Sequence, residues 1–366
     1  MFIIRVIILL LLSFNLYAKS YNYSNGMTLD ISGYLGWQQI ISNVDFDSVK
    51  SEPELGLNTS LKITDRLTMF NQFAWGRNID EIFVYNQLTY IPELNVDDLI
   101  LTIKGGRIMH NISLYSDTRI NPRTRQGVLQ PQSIYFDVLN RALTSGTGFG
   151  IDADYKNFKA TYVIDKLTIV DPNKEAQAWA LTPRASNLKS DFGTQIATLQ
   201  HEIPTWGVRT KAFWLKNNFS LNVPNLTSRY KFGGTIVGIG TELTQGPVIL
   251  SVESQCAKLD TVSWSEWKKY ACGISSTIEY DIHKNITLRA NYNQYHSPRR
   301  GATPELQTHF IDMNVGVNLH KDKWMLGTEV HYMHGGRLVD TSNFNSNPSD
   351  YERYWLVGIN LVYFID

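Results

Sequence analysis

The chain lacks most of what marks a soluble enzyme or a nucleic-acid binder. Its 366 residues carry 34 Lys and Arg against 34 Asp and Glu, so no net charge is left over. A nucleic-acid-binding domain ordinarily shows a basic excess, and this balance sets that partner aside. Two cysteines are too few for a disulfide-built scaffold or a cysteine-rich zinc site. Charged residues make up only 19% of the chain and apolar residues 43%, both low for a soluble globular protein. A mean hydropathy of −0.21 gives no hint of a membrane. Past the first eighteen residues, no stretch is long and apolar enough for a membrane helix, which needs about 20 such residues.

What is present starts at the N-terminus. Arg5 precedes an apolar run, VIILLLLSF, over 6–14, and Ala18 supplies the small residue of a cleavage site. Residues 1–18 therefore have the plan of a secretory signal peptide, which is removed and takes no part in the fold. The mature chain would begin at Lys19. An exported chain without membrane helices is either soluble or a closed β-barrel.

The periodicity decides between them. Over 27–37 the odd positions are Met27, Leu29, Ile31, Gly33, Leu35 and Trp37, and the even ones Thr28, Asp30, Ser32, Tyr34 and Gly36. Alternation of this kind is a strand with one apolar and one polar face. It recurs over 53–63, 67–76, 81–91, 98–108, 146–155, 158–167, 192–202, 206–216, 232–244, 248–258, 268–282, 286–296, 308–320, 323–334 and 353–364, sixteen strands in all. Strands of about ten residues match a tilted bilayer crossing and exceed the common strand of a soluble sandwich. Short turns such as 64–66, 156–157 and 321–322 alternate with long polar segments such as 171–191 and 335–352, as periplasmic turns alternate with extracellular loops. The apolar rows end in aromatics, among them Trp37, Trp214, Trp324, Tyr332, Trp355 and Tyr363, which suits interfacial girdles.

The opposite rows carry Asp30, Glu54, Lys104, Asp152, Asp154, Lys159, Arg209, Lys211, Glu253, Glu279, Arg289, Asp312 and Glu329. Those charges need water on their side. The pattern predicts an all-β, transmembrane antiparallel barrel of about 16 strands with a wet lumen. Asn71 and Asn86 break it, since alternation aims both at lipid; a local bulge or a shifted register would relieve them.

One segment has no period. After the fifth predicted strand comes 109–144, with Pro122 and Pro131 and with apolar residues such as Ile112, Leu114, Tyr115 and Tyr135. Long aperiodic loops are usually functional, and one so apolar calls for a packing partner, which the lumen wall supplies. From Lys104 to Arg141 it holds Lys104, Arg107, Arg119, Arg123, Arg125 and Arg141 against Asp117 and Asp137, a net of +4. Folded into a pore over 109–137, such a cluster would concentrate anions and set selectivity.

At this point the residues resemble a known family. The leader, the sixteen strands and the long loop together are similar to the Gram-negative general porins. The stretch GGRIMHNISLYSDTRINPRTRQGVLQPQSIYFD over 105–137 resembles phosphate-selective and related proteobacterial porins, on Gly106-Arg107, on Leu114-Tyr115 through Arg119, and on the run from Pro131 to Tyr135. The resemblance implies a homotrimeric outer-membrane channel whose third extracellular loop folds inward. It does not imply phosphate specificity. One departure is the C-terminus, where Ile365 and Asp366 follow Phe364 instead of the usual terminal aromatic.

Cys256 and Cys272 fall on the apolar rows of successive strands, equidistant from the tip at 263–265, so a cross-strand disulfide is expected. Catalysis is not expected. The chain has no G-x-S-x-G and no His-x-Ser, and His331 and His334 would point to opposite faces of one strand. No cofactor or metal is implied. The expected function is passive diffusion of small hydrophilic solutes and ions through the outer membrane, with a modest anion preference. A substrate-specific channel for phosphate or another small anion, and a non-conducting adhesive or structural barrel, are the alternatives.

Overall fold

The computed structural model describes residues 19–23, 25–42, 49–76, 83–94, 96–110, 112–114, 145–167, 186–190, 192–222, 230–259, 270–296, 309–334 and 353–365. The proposed leader, residues 1–18, lies outside them.

Eighteen strands form one antiparallel sheet. In chain order they are β1 (Lys19–Asn22), β2 (Thr28–Ser42), β3 (Val49–Thr64), β4 (Leu67–Gly76), β5 (Phe83–Tyr90), β6 (Leu99–Met109), β7 (Ser145–Tyr155), β8 (Phe158–Leu167) and β9 (Ser186–Ser190). The second half comprises β10 (Thr194–Ile203), β11 (Val208–Asn222), β12 (Tyr230–Gln245), β13 (Val248–Leu259), β14 (Tyr270–His283), β15 (Ile286–His296), β16 (His309–Lys321), β17 (Trp324–His334) and β18 (Arg353–Ile365). Sixteen of them make the wall. β8 pairs directly with β10, and β18 pairs with β2 from Leu356 opposite Ser42 to Ile365 opposite Gly33, which closes the barrel. The other two are short. β9 pairs along the far end of β11, and β1 lies along β2 just past the end of β18.

The sixteen-strand alternation is thus borne out, and the strands mostly outgrow their apolar rows. β2 runs on to Ser42 and β11 to Asn222. β11 starts later than its alternation suggests, because Pro204–Trp206 forms a 3-10 turn capped by Gly207. Gly207 has φ 63°, and a side chain there would run into the carbonyl oxygen of Thr244. Only glycine meets both conditions. At this end of the barrel the connections are short, and Lys156 and Asp322 also take left-handed φ. In the 64–67 turn, the Thr64 hydroxyl accepts from the amides of Arg66 and Leu67. The Lys62 ammonium, 2.6 Å from the Asp65 carboxylate, holds that carboxyl below its ordinary range.

The two faces differ as the alternation requires. On β7, Phe149 and Ile151 are 66% and 51% exposed on the outside, whereas Asp152, on the lumen side, is 3% exposed. Outside, Val237, Ile239, Val252, Ile278, Leu288 and Val315 continue the apolar band. Trp324 packs on Tyr363, and Tyr332 on Trp355, in the girdle positions.

Cys256 and Cys272 stand directly opposite one another on this outer face, with Cα atoms 4.1 Å apart and their sulfurs joined. The link closes a short loop, for which a disulfide adds roughly 3 kcal/mol by restricting the unfolded chain. Denatured, unreduced protein is expected to take up no thiol reagent, and reduced protein two equivalents. A mass increase before reduction would show the pair to be open.

Candidate pore constriction

The inner wall has its own chemistry. The Lys104 ammonium bonds to Asp152, and Lys159 lies 3.7 Å from Asp152 and 3.4 Å from Asp154. Four charges thereby alternate across β6, β7 and β8. Farther round, Arg209 meets Glu242 at 3.2 Å. On β14–β17, Arg289 bridges Glu279 at 3.1 Å and Glu329 at 2.8 Å. His331 sits between Asp312 at 2.9 Å and Glu329 at 3.2 Å, and Asn293 and Asn314 donate to the other Asp312 oxygen. The parity of the pairing puts every charge named for the inner rows from sequence on the lumen side. Asp165, Glu202, Glu242 and His331 also belong there and were not among those expected, so acids outnumber bases on the described wall.

The long segment begins by crossing this wall. Ile108 at the end of β6 is fully buried and faces Gly150 of β7. The His110 imidazole bonds to the carboxylate of Asp165 on β8, and both side chains are inaccessible to solvent. Next, the Lys211 ammonium of β11 donates to the Ser113 carbonyl oxygen at 3.4 Å. Leu114 then lies on β12, where a Cβ at Gly240 would come within 2.9 Å of it. Between residues 108 and 114 the chain thus runs inside the barrel from the fifth wall strand to the tenth. It does not rise away from the rim.

Glycines make the seat. Gly146, Gly148 and Gly150 occupy successive inward positions on β7. A side chain at Gly146 or Gly148 would overlap Asp165, and one at Gly150 would crowd Val163 at 3.1 Å. A flat strip of backbone is left for the buried His110–Asp165 pair. Behind it, Asn217 accepts from Thr194 at 2.7 Å and from Ser190 at 3.2 Å, fixing β9 and β10 against β11.

The residues expected to form the constriction fall into three groups. Lys104 is on the lumen wall, tied to Asp152. Arg107 is not: it pairs opposite Asn86 and Thr147, on the outer row, and its Nε donates to Ser145 at 3.2 Å. The physical reason is parity, since it stands three positions after Lys104 and an odd step reverses the face. Asp117, Arg119, Arg123, Arg125, Asp137 and Arg141 lie outside the described residues. His110, Asp165 and Lys211 fix the start of the segment to the wall, and segment-by-segment charge counting does not bring them together. The inward Gly-x-Gly-x-Gly row of β7 was the available signal.

No protein-family model matches the chain, and no curated protein matches it in sequence. Solved structures do match in fold. A trimer form of OmpT, an outer membrane protein of Vibrio cholerae, aligns over 92% of this chain and 99% of its own at 14% identity, with TM-score 0.61. Salmonella typhi OmpF, in a complex with daunomycin, aligns over 94% and 100% at 11% identity and 0.60. The outer membrane channel DcaP of Acinetobacter baumannii aligns over 94% and 99% at 11% identity and 0.57. At these identities the likeness is one of fold.

If the glycine seat positions the segment, Gly240→Leu will push Leu114 off β12. The expected outcome is a larger single-channel conductance with an unchanged β circular-dichroism spectrum. Unaltered conductance would mean that Leu114 does not set the width.

Proposed function

We propose that the protein is an outer-membrane porin, forming a water-filled passage for small hydrophilic solutes and ions, exported by the leader at 1–18 and assembled as a homotrimer. The observation that carries this is the inward crossing of residues 108–114 over a wall lined by paired charges. A barrel used only as a scaffold or adhesin has no need of a chain laid across its interior. The fold shared with the outer membrane channel DcaP and with a trimer form of OmpT supports the same reading.

Transport of this kind involves no bond making. Solutes pass by diffusion, and the field of the charged side chains together with the width left by the inward segment sets what passes. On the described wall Lys104, Lys159, Arg209 and Arg289 each face a carboxylate. Their positive charge is compensated locally. An anion preference therefore has to come from the arginines of the long segment, Arg119, Arg123 and Arg125. A wall richer in acids than in bases works against it.

Reconstitution of the purified protein into planar bilayers tests both parts. Stepwise conductance of constant size is expected, and its absence would remove the porin reading. In a salt gradient, the reversal potential of the wild type is expected on the anion side. Replacing Arg119, Arg123 and Arg125 by Ala is expected to move it toward cations. A cation-selective wild type would overturn the role given to these arginines while leaving the channel intact.

A further inference from the structure

The outer rows are not uniformly apolar. Asn71, Asn86 and Arg107 stand opposite one another in turn on them, as do Thr210 and Thr241, and Ser276 stands opposite Val252. One corner gathers histidines. His296 is the last residue of β15, His309 the first of β16 and His334 the last of β17, so three neighbouring strands each carry one at the long-loop end. His296 and His309 are directly opposite, and His334 is opposite Ile311, two positions from His309. The register gives all three the outward parity, since His296 is also opposite Cys272 and His334 stands two positions after Tyr332. The chain has eight histidines. Of the other five, His110 and His331 bond to carboxylates inside the barrel, His201 stacks on Phe158, and His283 and His320 lie at the short-turn end.

Spacing and chemistry both matter here. Directly opposite residues hold their Cβ atoms about 5 Å apart, and diagonal neighbours about 8 Å apart at most. An imidazole nitrogen reaches well beyond its Cβ and binds zinc at about 2.1 Å. Two opposite histidines with a diagonal third can therefore share one ion. Among the described residues, the outward rows of β14–β18 carry no acid. Calcium and magnesium take oxygen ligands and find no carboxylate on this face. Imidazoles suit zinc, copper and nickel instead. Arg353, opposite His334, disfavours a cation on that side, so the pair across β15 and β16 is the stronger half. No three ligands are gathered at one point among the described residues. The ion itself would draw the rings together, as metals do where no site is preformed.

We propose that His296, His309 and His334 form a binding site for one divalent transition-metal ion, of the zinc, copper or nickel class, on the outer rim of the barrel. Water completes the coordination, as it does in zinc sites with three protein ligands. The bound ion ties β15, β16 and β17 together at the end from which residues 297–308 and 335–352 continue.

Zinc titration of the purified full-length protein, first stripped with a chelator, tests this. One ion per chain is expected to bind, displaced by nickel or copper and not by excess calcium or magnesium. His296→Gln, His309→Gln and His334→Gln are each expected to weaken binding by about tenfold or more, since even a group behind a metal ligand is worth that much. His201→Gln, at the other end of the barrel, is expected to leave it unchanged. Acidification to about pH 5 is expected to release the ion, because imidazoles ligate only when neutral. An unchanged β circular-dichroism spectrum in each variant separates loss of the site from loss of the fold. Wild-type protein that retains no zinc, or zinc binding that stays at full strength in any of the three variants, would overturn the proposal.

Discussion

The structure depends on the closure of one hydrogen-bonded ladder. An outer surface that is apolar around its circumference cannot leave a strand edge open, because every unpaired backbone N–H and C=O would face a medium with nothing to offer it. The pairing of β18 with β2 removes the last edge. Everything else follows from the closed sheet. Residues of one parity face out, residues of the other face in, and no side chain has a third option. The short β1 and β9 add no new face. They occupy stretches of β2 and β11 that the neighbouring wall strands leave unpaired.

Closure also explains why the inner charges come in alternating sets. Inward side chains from adjacent strands project into a confined volume, where like charges repel and opposite ones pair at short range. Lys104, Asp152, Lys159 and Asp154 obey this across three strands, and Glu279, Arg289, Glu329, His331 and Asp312 across four. Paired in this way, the bases of the wall are compensated where they stand, and the acids in surplus leave the lining with a net negative field. Whatever is laid across the lumen adds its charges to that field.

Much of this was legible in the sequence, and the parts that were not have a common cause. The strands could be read because alternation is a local property, carried by runs such as Leu29, Ile31, Gly33 and Leu35. The inner charges followed from the same parity. The start of the inward segment could be expected from its apolar content, but its path could not. That path depends on Asp165 on β8, Lys211 on β11 and Gly240 on β12, which only the register brings alongside His110, Ser113 and Leu114. Arg107 was misplaced for a related reason. Summing charge along a segment ignores parity, and Arg107 belongs to a strand in which parity still rules. Asn71 and Asn86 showed as irregular from sequence, yet only the pairing of β3, β4, β5 and β6 reveals that they line up.

β6 joins the inside and the outside of this barrel. Its inward positions, Lys104 and Ile108, belong to the lumen lining and the seat of the crossing segment, and its outward position Arg107 stands opposite Asn86 on the outer face. Between Lys104 and Arg107 are two glycines. Gly106 has φ 109°, and a side chain there would overlap the carbonyl oxygen of Asn86, so the approach of β6 to β5 is possible only with glycine. Gly105, on the outer row, leaves room beside Phe149. A larger residue at Gly106 would separate β6 from β5 and so move Arg107 away from Asn86. It would also shift Ile108 on the same strand and His110 just past its end. The register that sets Arg107 opposite Asn86 is therefore the register that delivers the chain into the lumen, and neither can change without the other.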